Sequence, residues 1–311
     1  MYNKIEFGDC RETMRRWKEQ GIKAQTCVTS PPYFGLRDYG HEGQIGLEQT
    51  PEEYITAMVE VFRCVWDVLE DDGTLWLNIG DSYASYRHGK ATPDTTLGNS
   101  TGTLVPKGSA RNQMASSFQG SEVKHKDLIG IPWMLAFALR ADGWYLRQEI
   151  IWAKPNPMPE SVKDRCTKSH EQIFLLVKSP KYYCDMGAIA EPATTGDCGS
   201  SFTRGKTGSK NKTAVGQGER VDDGIRNKRS VWTVSTKPYS GAHFAVFPAD
   251  LIEPCILAGA PAGGVVLDPF MGSGTTAQVA QNLGRQYLGC ELNPEYAALQ
   301  HERTKQFSLA I

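Results

Sequence analysis

Residues 265–276, Val-Val-Leu-Asp-Pro-Phe-Met-Gly-Ser-Gly-Thr-Thr, constrain the fold of this chain more than any other stretch. A short apolar strand delivers an acid, the chain turns through two glycines, and a helix begins at Thr275. A doubly wound parallel sheet builds a ligand pocket in this way, beyond the carboxyl ends of its strands. Gly272 and Gly274 let backbone approach a ligand closely, and the amino end of the following helix favours a negative group. The next strand, 286–289, ends at Cys290-Glu291, where a carboxylate can accept hydrogen bonds from two ribose hydroxyls. A dinucleotide fold places an acid similarly, so this segment alone also fits a nicotinamide oxidoreductase.

The rest of the chain alternates strands with helices. Strands are predicted at 4–7, 24–29, 74–79, 145–152, 172–177, 265–267 and 286–289. Helices are predicted after Gly8-Asp9 (with Met14 and Trp17) and at 128–140, 249–258, 275–283 and 294–305. A further helix starts at Thr50, which caps it, with Pro51 in the first position and Glu53 closing a capping box, and runs to Leu69. Asp71-Asp72-Gly73 is read as the turn into the strand after it. Such alternation implies α/β architecture, a mostly parallel sheet with helices on both faces. Two stretches rich in Gly, Ser and Thr, 82–126 and 194–229, lack a sustained period and read as long loops.

The second informative feature is Ser30-Pro31-Pro32-Tyr33, at the end of the buried strand Cys27-Val28-Thr29. An isolated Ser-Pro-Pro-Tyr is a rigid turn with a core tyrosine; accompanied by the glycine loop it acquires another meaning. The two segments together resemble the DNA amino-methyltransferases of the cytosine-N4 and adenine-N6 family, in the β-group order, with the catalytic motif first and the cofactor motif last. The likeness extends through Phe247-Pro248, Leu251, Leu267 to Thr276, Leu283-Gly284-Arg285 and Gly289-x-Glu291, and through Ile151 to Pro157 and His170-Glu171.

The resemblance implies a Rossmann-like methyltransferase fold with an inserted target-recognition region, and transfer of a methyl group from S-adenosylmethionine to the exocyclic amine of a base flipped out of double-stranded DNA. Catalysis falls to Ser30, Pro31, Pro32 and Tyr33. A base amine is a weak nucleophile because its lone pair is delocalised. The Ser30 hydroxyl and the Pro31 carbonyl would accept its N–H groups, with the prolines freezing that geometry and Tyr33 stacking on the base. The cofactor would meet Asp9, Phe247, Asp268, Pro269, Phe270, Gly272, Gly274, Thr275 and Glu291, with Asp268 beside its methionine part, Glu291 on the ribose and Asp9 at the adenine end. Asp9 reads equally as a turn aspartate, and His243 as a packed histidine. Lys154 and Asn156 would contact DNA or line the base pocket, or form an ordinary strand-end loop. Serine at position 30 leans slightly towards cytosine N4, with adenine N6 and an RNA base left open.

Charge adds one restriction. The chain is near neutral, with a net charge of −1, so any polyanion-binding surface is local. From 201 to 230 eight cations, among them Arg204, Lys206, Lys210 and Lys212, face three anions, and from 84 to 126 six face two. Solvated loops explain this by composition alone; the family places target recognition at 194–229, between a catalytic half at 1–193 and a cofactor half at 230–311. Eight cysteines without a CxxC pair or histidines at zinc spacing predict free thiols and no metal site. With no apolar leader or membrane span in the sequence, the expectation is a cytoplasmic modification enzyme of the restriction-modification type, a possible homodimer as is frequent in the family.

Overall fold

The computed structural model describes residues 2–36, 38, 40–41, 43–84, 123–193, 225–236 and 247–305. Its main sheet has eight strands: β1 (Lys4–Phe7), β2 (Ala24–Thr29), β3 (Leu69–Ile79), β4 (Tyr145–Ala153), β5 (His170–Val177), β8 (Val231–Thr233), β9 (Val265–Asp268) and β10 (Gln286–Glu291). The short strands β6 (Glu191–Pro192) and β7 (Ile225–Arg226) pair separately. The order in the main sheet is β1-β10-β9-β2-β3-β5-β4-β8. From β1 to β3 every neighbour is parallel; β5 is antiparallel to both β3 and β4, and β8 returns parallel to β4.

The sheet is buried on both faces because its central strands carry apolar residues on each side, with Thr26, Thr29, Thr74 and Asn78 buried among them. Cys27, Leu75, Leu77 and Leu176 belong to the core under α1 (Cys10–Glu19), α2 (Pro51–Val68) and α3 (Ile131–Ala141). Val28, Trp76 and Leu175 point the other way, with α4 (Ala249–Gly259) and α5 (Thr275–Asn282). The chain closes with a single 3₁₀ turn, Pro294–Tyr296, and α6 (Ala297–Thr304). Among the described residues no helix is long and apolar enough to cross a membrane.

Strands leave β9 in one direction through β10 to β1, and leave β2 in the other through β3. The topological switch point therefore lies between β9 and β2, where an open α/β sheet leaves a crevice at its carboxyl edge. Strands from both ends of the sequence meet there, Cys27 pairing with Leu267. The 1–193 and 230–311 segments thus build one sheet. Most of the stretches 82–126 and 194–229, with Arg204, Lys206, Lys210, Lys212 and His243, lies outside the described residues.

Three expectations are corrected. Asp71-Asp72-Gly73 is part of β3, not a turn before it: Ala24 pairs with Leu69 but Thr26 with Thr74, so β3 absorbs the extra residues in an irregularity while remaining in the sheet. The last helix is preceded by the 3₁₀ turn instead of starting at Pro294. Strand β8 was not anticipated, because three residues ending a polar stretch carry no usable period.

The capping box at α2 forms as read. Thr50 Oγ1 accepts from the Glu53 N–H at 3.2 Å, and Glu53 accepts from the Thr50 N–H at 3.3 Å. Thr50→Ala is expected to lower the unfolding free energy by about 1 kcal/mol in urea titration. An unchanged midpoint and slope would show that the box contributes nothing to the fold.

Candidate active site

The crevice at the switch point is a cleft of about 770 Å³. Its lining brings together Ser30, Pro31, Pro32 and Tyr33 from the end of β2, Asp268 to Ser273 and Thr275 from the β9–α5 turn, Glu291 from β10, and Asp9, Phe247, Lys154 and Asn156. Residues separated by most of the chain thus share one wall-to-wall site.

Asp268 holds the two halves of the cleft together. It is 1% exposed, and Thr29 Oγ1 donates to its Oδ1 at 2.6 Å while Thr276 Oγ1 donates to Oδ2 at 2.6 Å. The Phe270 N–H adds a third bond at 3.0 Å. Burial outweighs these donors and lifts the carboxyl to about 6, with the nearby Glu291 charge adding to the shift. The turn then passes Gly272, and Gly274 caps α5 at φ +89°, a left-handed conformation suited to glycine. Ser273, between them, is 2% exposed and its Oγ has no partner.

Glu291 accepts the Gly272 N–H at 2.7 Å on one oxygen and the Asn293 N–H at 2.8 Å on the other. Each oxygen retains accepting capacity towards the cleft. Burial raises this carboxyl above its ordinary value. Gln300 Nε2 supports the loop from behind, donating to the Gly272 carbonyl at 2.7 Å. Asp9 borders the cleft, but its carboxylate caps α1 through the Arg11 N–H at 2.7 Å and pairs with the Arg11 guanidinium at 2.6 Å. The bonds it makes are those of the turn-aspartate reading.

On the opposite wall, Tyr33 donates its hydroxyl to Glu171 Oε2 at 2.7 Å, and Asn78 Nδ2 reaches the same oxygen at 3.2 Å. Lys154 Nζ pairs with Glu171 Oε1; the two side chains are 17% and 15% exposed. The ammonium also lies 4.2 Å from the centroid of the Trp152 ring. Strand register explains the meeting, since Trp152 of β4 faces Glu171 of β5 and Lys154 lies two residues further on. Burial and the Glu171 charge push the Tyr33 phenol well above its ordinary value, keeping it a neutral donor. Ser30 Oγ lies 3.4 Å from the Tyr33 hydroxyl. Tyr54 anchors the turn by donating to the Pro32 carbonyl at 2.9 Å. Gly80 leaves room for the aromatic ring: a Cβ there would stand 2.6 Å from Tyr33 Cε2.

Glu171 belongs to the His170-Glu171 pair that the family likeness puts on the target-base side, whereas Asn78 and Gly80 had no signal in the sequence. Asn156 sits at the rim, bonded to the backbone of Thr236 at 3.0 and 2.9 Å, so its amide fastens one strand extension to another. Among the described residues no cluster of three or more His, Cys, Asp or Glu could hold a metal ion.

Sheet order, switch-point cleft and paired acids define a Rossmann-like methyltransferase. The chain belongs to the DNA methylase family, whose model matches residues 24–302. It is 48% identical over 303 residues to type II methyltransferase M.SmaI of Serratia marcescens, covering 96% of this chain and 90% of the relative. It is 47% identical over 289 residues to M.Cfr9I of Citrobacter freundii, covering 93% and 83%. Among solved structures, the cytosine-N4-specific PvuII DNA methyltransferase superposes with a TM-score of 0.61 at 16% identity, over 100% of this chain and 89% of that one. The M1.HpyAVI–SAM complex superposes at 0.52 and 20% identity, over 96% and 98%. At such identities the superpositions speak for the fold. Family membership decides between the two readings of the glycine loop: the cofactor is S-adenosylmethionine and the reaction is DNA methylation.

The residues present fit that cofactor. A buried carboxylate with spare acceptor capacity at Glu291 and an unpartnered buried hydroxyl at Ser273 flank the loop. Apolar walls at Phe247, Pro269 and Phe270 complete the enclosure.

The raised carboxyl gives a pH test. With Asp268 at about 6 in the fold against an ordinary 3.8, the folded chain binds a proton that the unfolded chain releases between those values. Its stabilising contribution is present below about pH 4 and is lost as pH rises through about 6, a change of about 3 kcal/mol at 1.36 per unit. Urea unfolding of the parent and of Asp268→Asn across pH 4 to 7 is expected to show the parent's relative stability falling by that order. A pH-independent difference contradicts the assignment.

Proposed function

We propose that this protein transfers a methyl group from S-adenosylmethionine to the exocyclic amine of a base flipped out of double-stranded DNA, and that cytosine N4 is the amine. The observation that carries this reading is the single cleft joining Ser30-Pro31-Pro32-Tyr33 to the Asp268–Thr276 turn and Glu291. S-adenosylmethionine supplies an electrophilic methyl on a sulfonium; the protein's task is to orient the amine and hold both partners.

In this reading Ser30 Oγ and the Pro31 carbonyl accept the amine hydrogens and turn the nitrogen lone pair towards the methyl. Preorganised acceptors of this kind act without reorganisation during the reaction. Tyr33, tethered through its hydroxyl by Glu171 and given room by Gly80, offers a fixed ring face for the base. Lys154, held by Glu171 and Trp152, presents a donor to ring acceptors of the base rather than to phosphate. The serine at position 30 is what favours the cytosine assignment. The proton lost by the methylated amine leaves after transfer, so no base with a shifted pKa is needed.

For the cofactor, Glu291 serves the ribose hydroxyls and the Gly272–Thr275 turn the amino-acid end. Asp268 secures the turn that meets the methionine part, while Asp9 borders the adenine end with its carboxylate already engaged. Residues 194–229 form the target-recognition insertion, with Arg204, Lys206, Lys210 and Lys212 on phosphate. In the described part of that window Arg226 and Arg229 are both paired with Glu191. Relatives named as type II methyltransferases support a role as the modification partner of a restriction enzyme. The seven described cysteines are free, which suits the cytoplasm. The homodimer is carried forward from the family likeness alone.

Purified protein with S-adenosylmethionine and plasmid DNA is expected to yield N4-methylcytosine by nucleoside mass spectrometry. Ser30→Ala and Tyr33→Ala should each lower kcat by about 100-fold or more, the range for losing one preorganised donor or acceptor. Cofactor affinity by calorimetry should be retained. N6-methyladenine as the product overturns the cytosine assignment, and near-parent turnover in either variant overturns the catalytic one.

A further inference from the structure

After β4 the chain runs Pro155-Asn156-Pro157-Met158-Pro159 along the rim of the cleft. Met158 is 85% exposed, the highest value for any large apolar side chain among the described residues, yet it lines the same cleft as Ser30 and Tyr33. Exposure here is not a sign of a slack backbone. Prolines on both sides fix φ, and the residue before each proline is confined to extended conformations. Asn156 fastens the segment to Thr236 by the two amide bonds described above. A rigid run therefore holds an unbranched thioether side chain in water at the mouth of the cleft, where burial would be favourable.

A partner that buries this side chain is implied by the reaction itself. A base drawn into the cleft leaves a gap in the stack it came from, and apolar wedges, methionine included, are a common way of occupying space between base steps. Methionine suits an irregular gap because it is flexible and polarizable. Lys163 is exposed five residues on, while the Arg165 guanidinium lies 3.7 Å from the Tyr83 ring centroid and is paired with Glu160.

We propose that Met158 is the wedge that enters the DNA duplex and occupies the space vacated by the target base. This rests on the base-methylation reading above. It assigns the residue a part in extrusion, separate from the chemistry at Ser30 and from cofactor binding.

The test uses the full chain and two duplexes carrying the site at which the parent methylates plasmid DNA. One has the target base paired; the other has an abasic position opposite it, which removes most of the work of unpairing. Met158→Ala is expected to lower kcat/KM on the paired duplex by about tenfold and to be nearly restored on the abasic duplex, because unpairing and unstacking cost a few kcal/mol that the second substrate does not demand. Met158→Leu should keep most of the parent's rate on both, and S-adenosylmethionine affinity should not change. An alanine variant equal to the parent on the paired duplex overturns the wedge. So does an equal loss on both duplexes, which would mark Met158 as a docking contact only. A parent that methylates neither duplex nor plasmid overturns the base-methylation reading and the wedge with it.

Discussion

The buried carboxylate of Asp268 is the contact on which the site depends. It lies where strands from opposite ends of the chain come side by side, and its bonds to Thr29 and Thr276 bridge the end of β2 to the start of α5. Ser30 follows Thr29 directly, so the acid that organises the glycine turn also sets the distance from that turn to Ser30-Pro31-Pro32-Tyr33. Enclosing a carboxylate is unfavourable, as its raised pKa shows. The three hydrogen bonds offset part of that loss. An apolar residue could fill the same space but could not fix the positions of two hydroxyls and one backbone amide around it.

The opposite wall repeats this logic with a different group. Glu171 gathers a phenol, an amide and an ammonium, all bordering the cleft. A pair of this kind, mostly removed from water, adds little to stability compared with well-packed apolar residues, because desolvation cancels much of the attraction. Its consequence is geometric. Tyr33 cannot rotate away without breaking its bond to Glu171, and Lys154 is drawn inward over Trp152 instead of extending into solvent.

Much of this was legible because the informative residues stand next to strong local signals. The capping box located α2, and the apolar run followed by acid and glycines located β9 and the turn to α5. What escaped was of two kinds. Glu70 to Gly73 look like a turn because they are polar and end in glycine, but the parallel pairing of β2 and β3 continues on either side and carries them along as an irregular part of the strand. Tertiary pairing overrode local propensity there. Asn78 meets Glu171 through the antiparallel pairing of β3 with β5, and Gly80 meets Tyr33 through the parallel pairing of β2 with β3, so nothing in the neighbourhoods of Asn78 and Gly80 marks them. Lys154 was singled out by the family likeness for DNA or the base pocket; its side chain lies on Glu171 and Trp152 at the cleft wall.

The pairing of cations bears on how a nearly neutral protein holds DNA. Arg226 and Arg229 pair with Glu191, which leaves six other cations in the 201–230 window, Arg204, Lys206, Lys210 and Lys212 among them. With Z phosphates neutralised, the logarithm of affinity falls with the logarithm of salt at about 0.9 Z, an attraction that does not choose among bases. Selectivity must then come chiefly from what happens to the target base: whether it can leave the duplex, and whether its edge matches the acceptors and donor of the pocket. On this view a rim residue that eases extrusion and a pocket wall held by Glu171 are successive parts of one discrimination, the first sensing how readily a base pair opens and the second which base emerges.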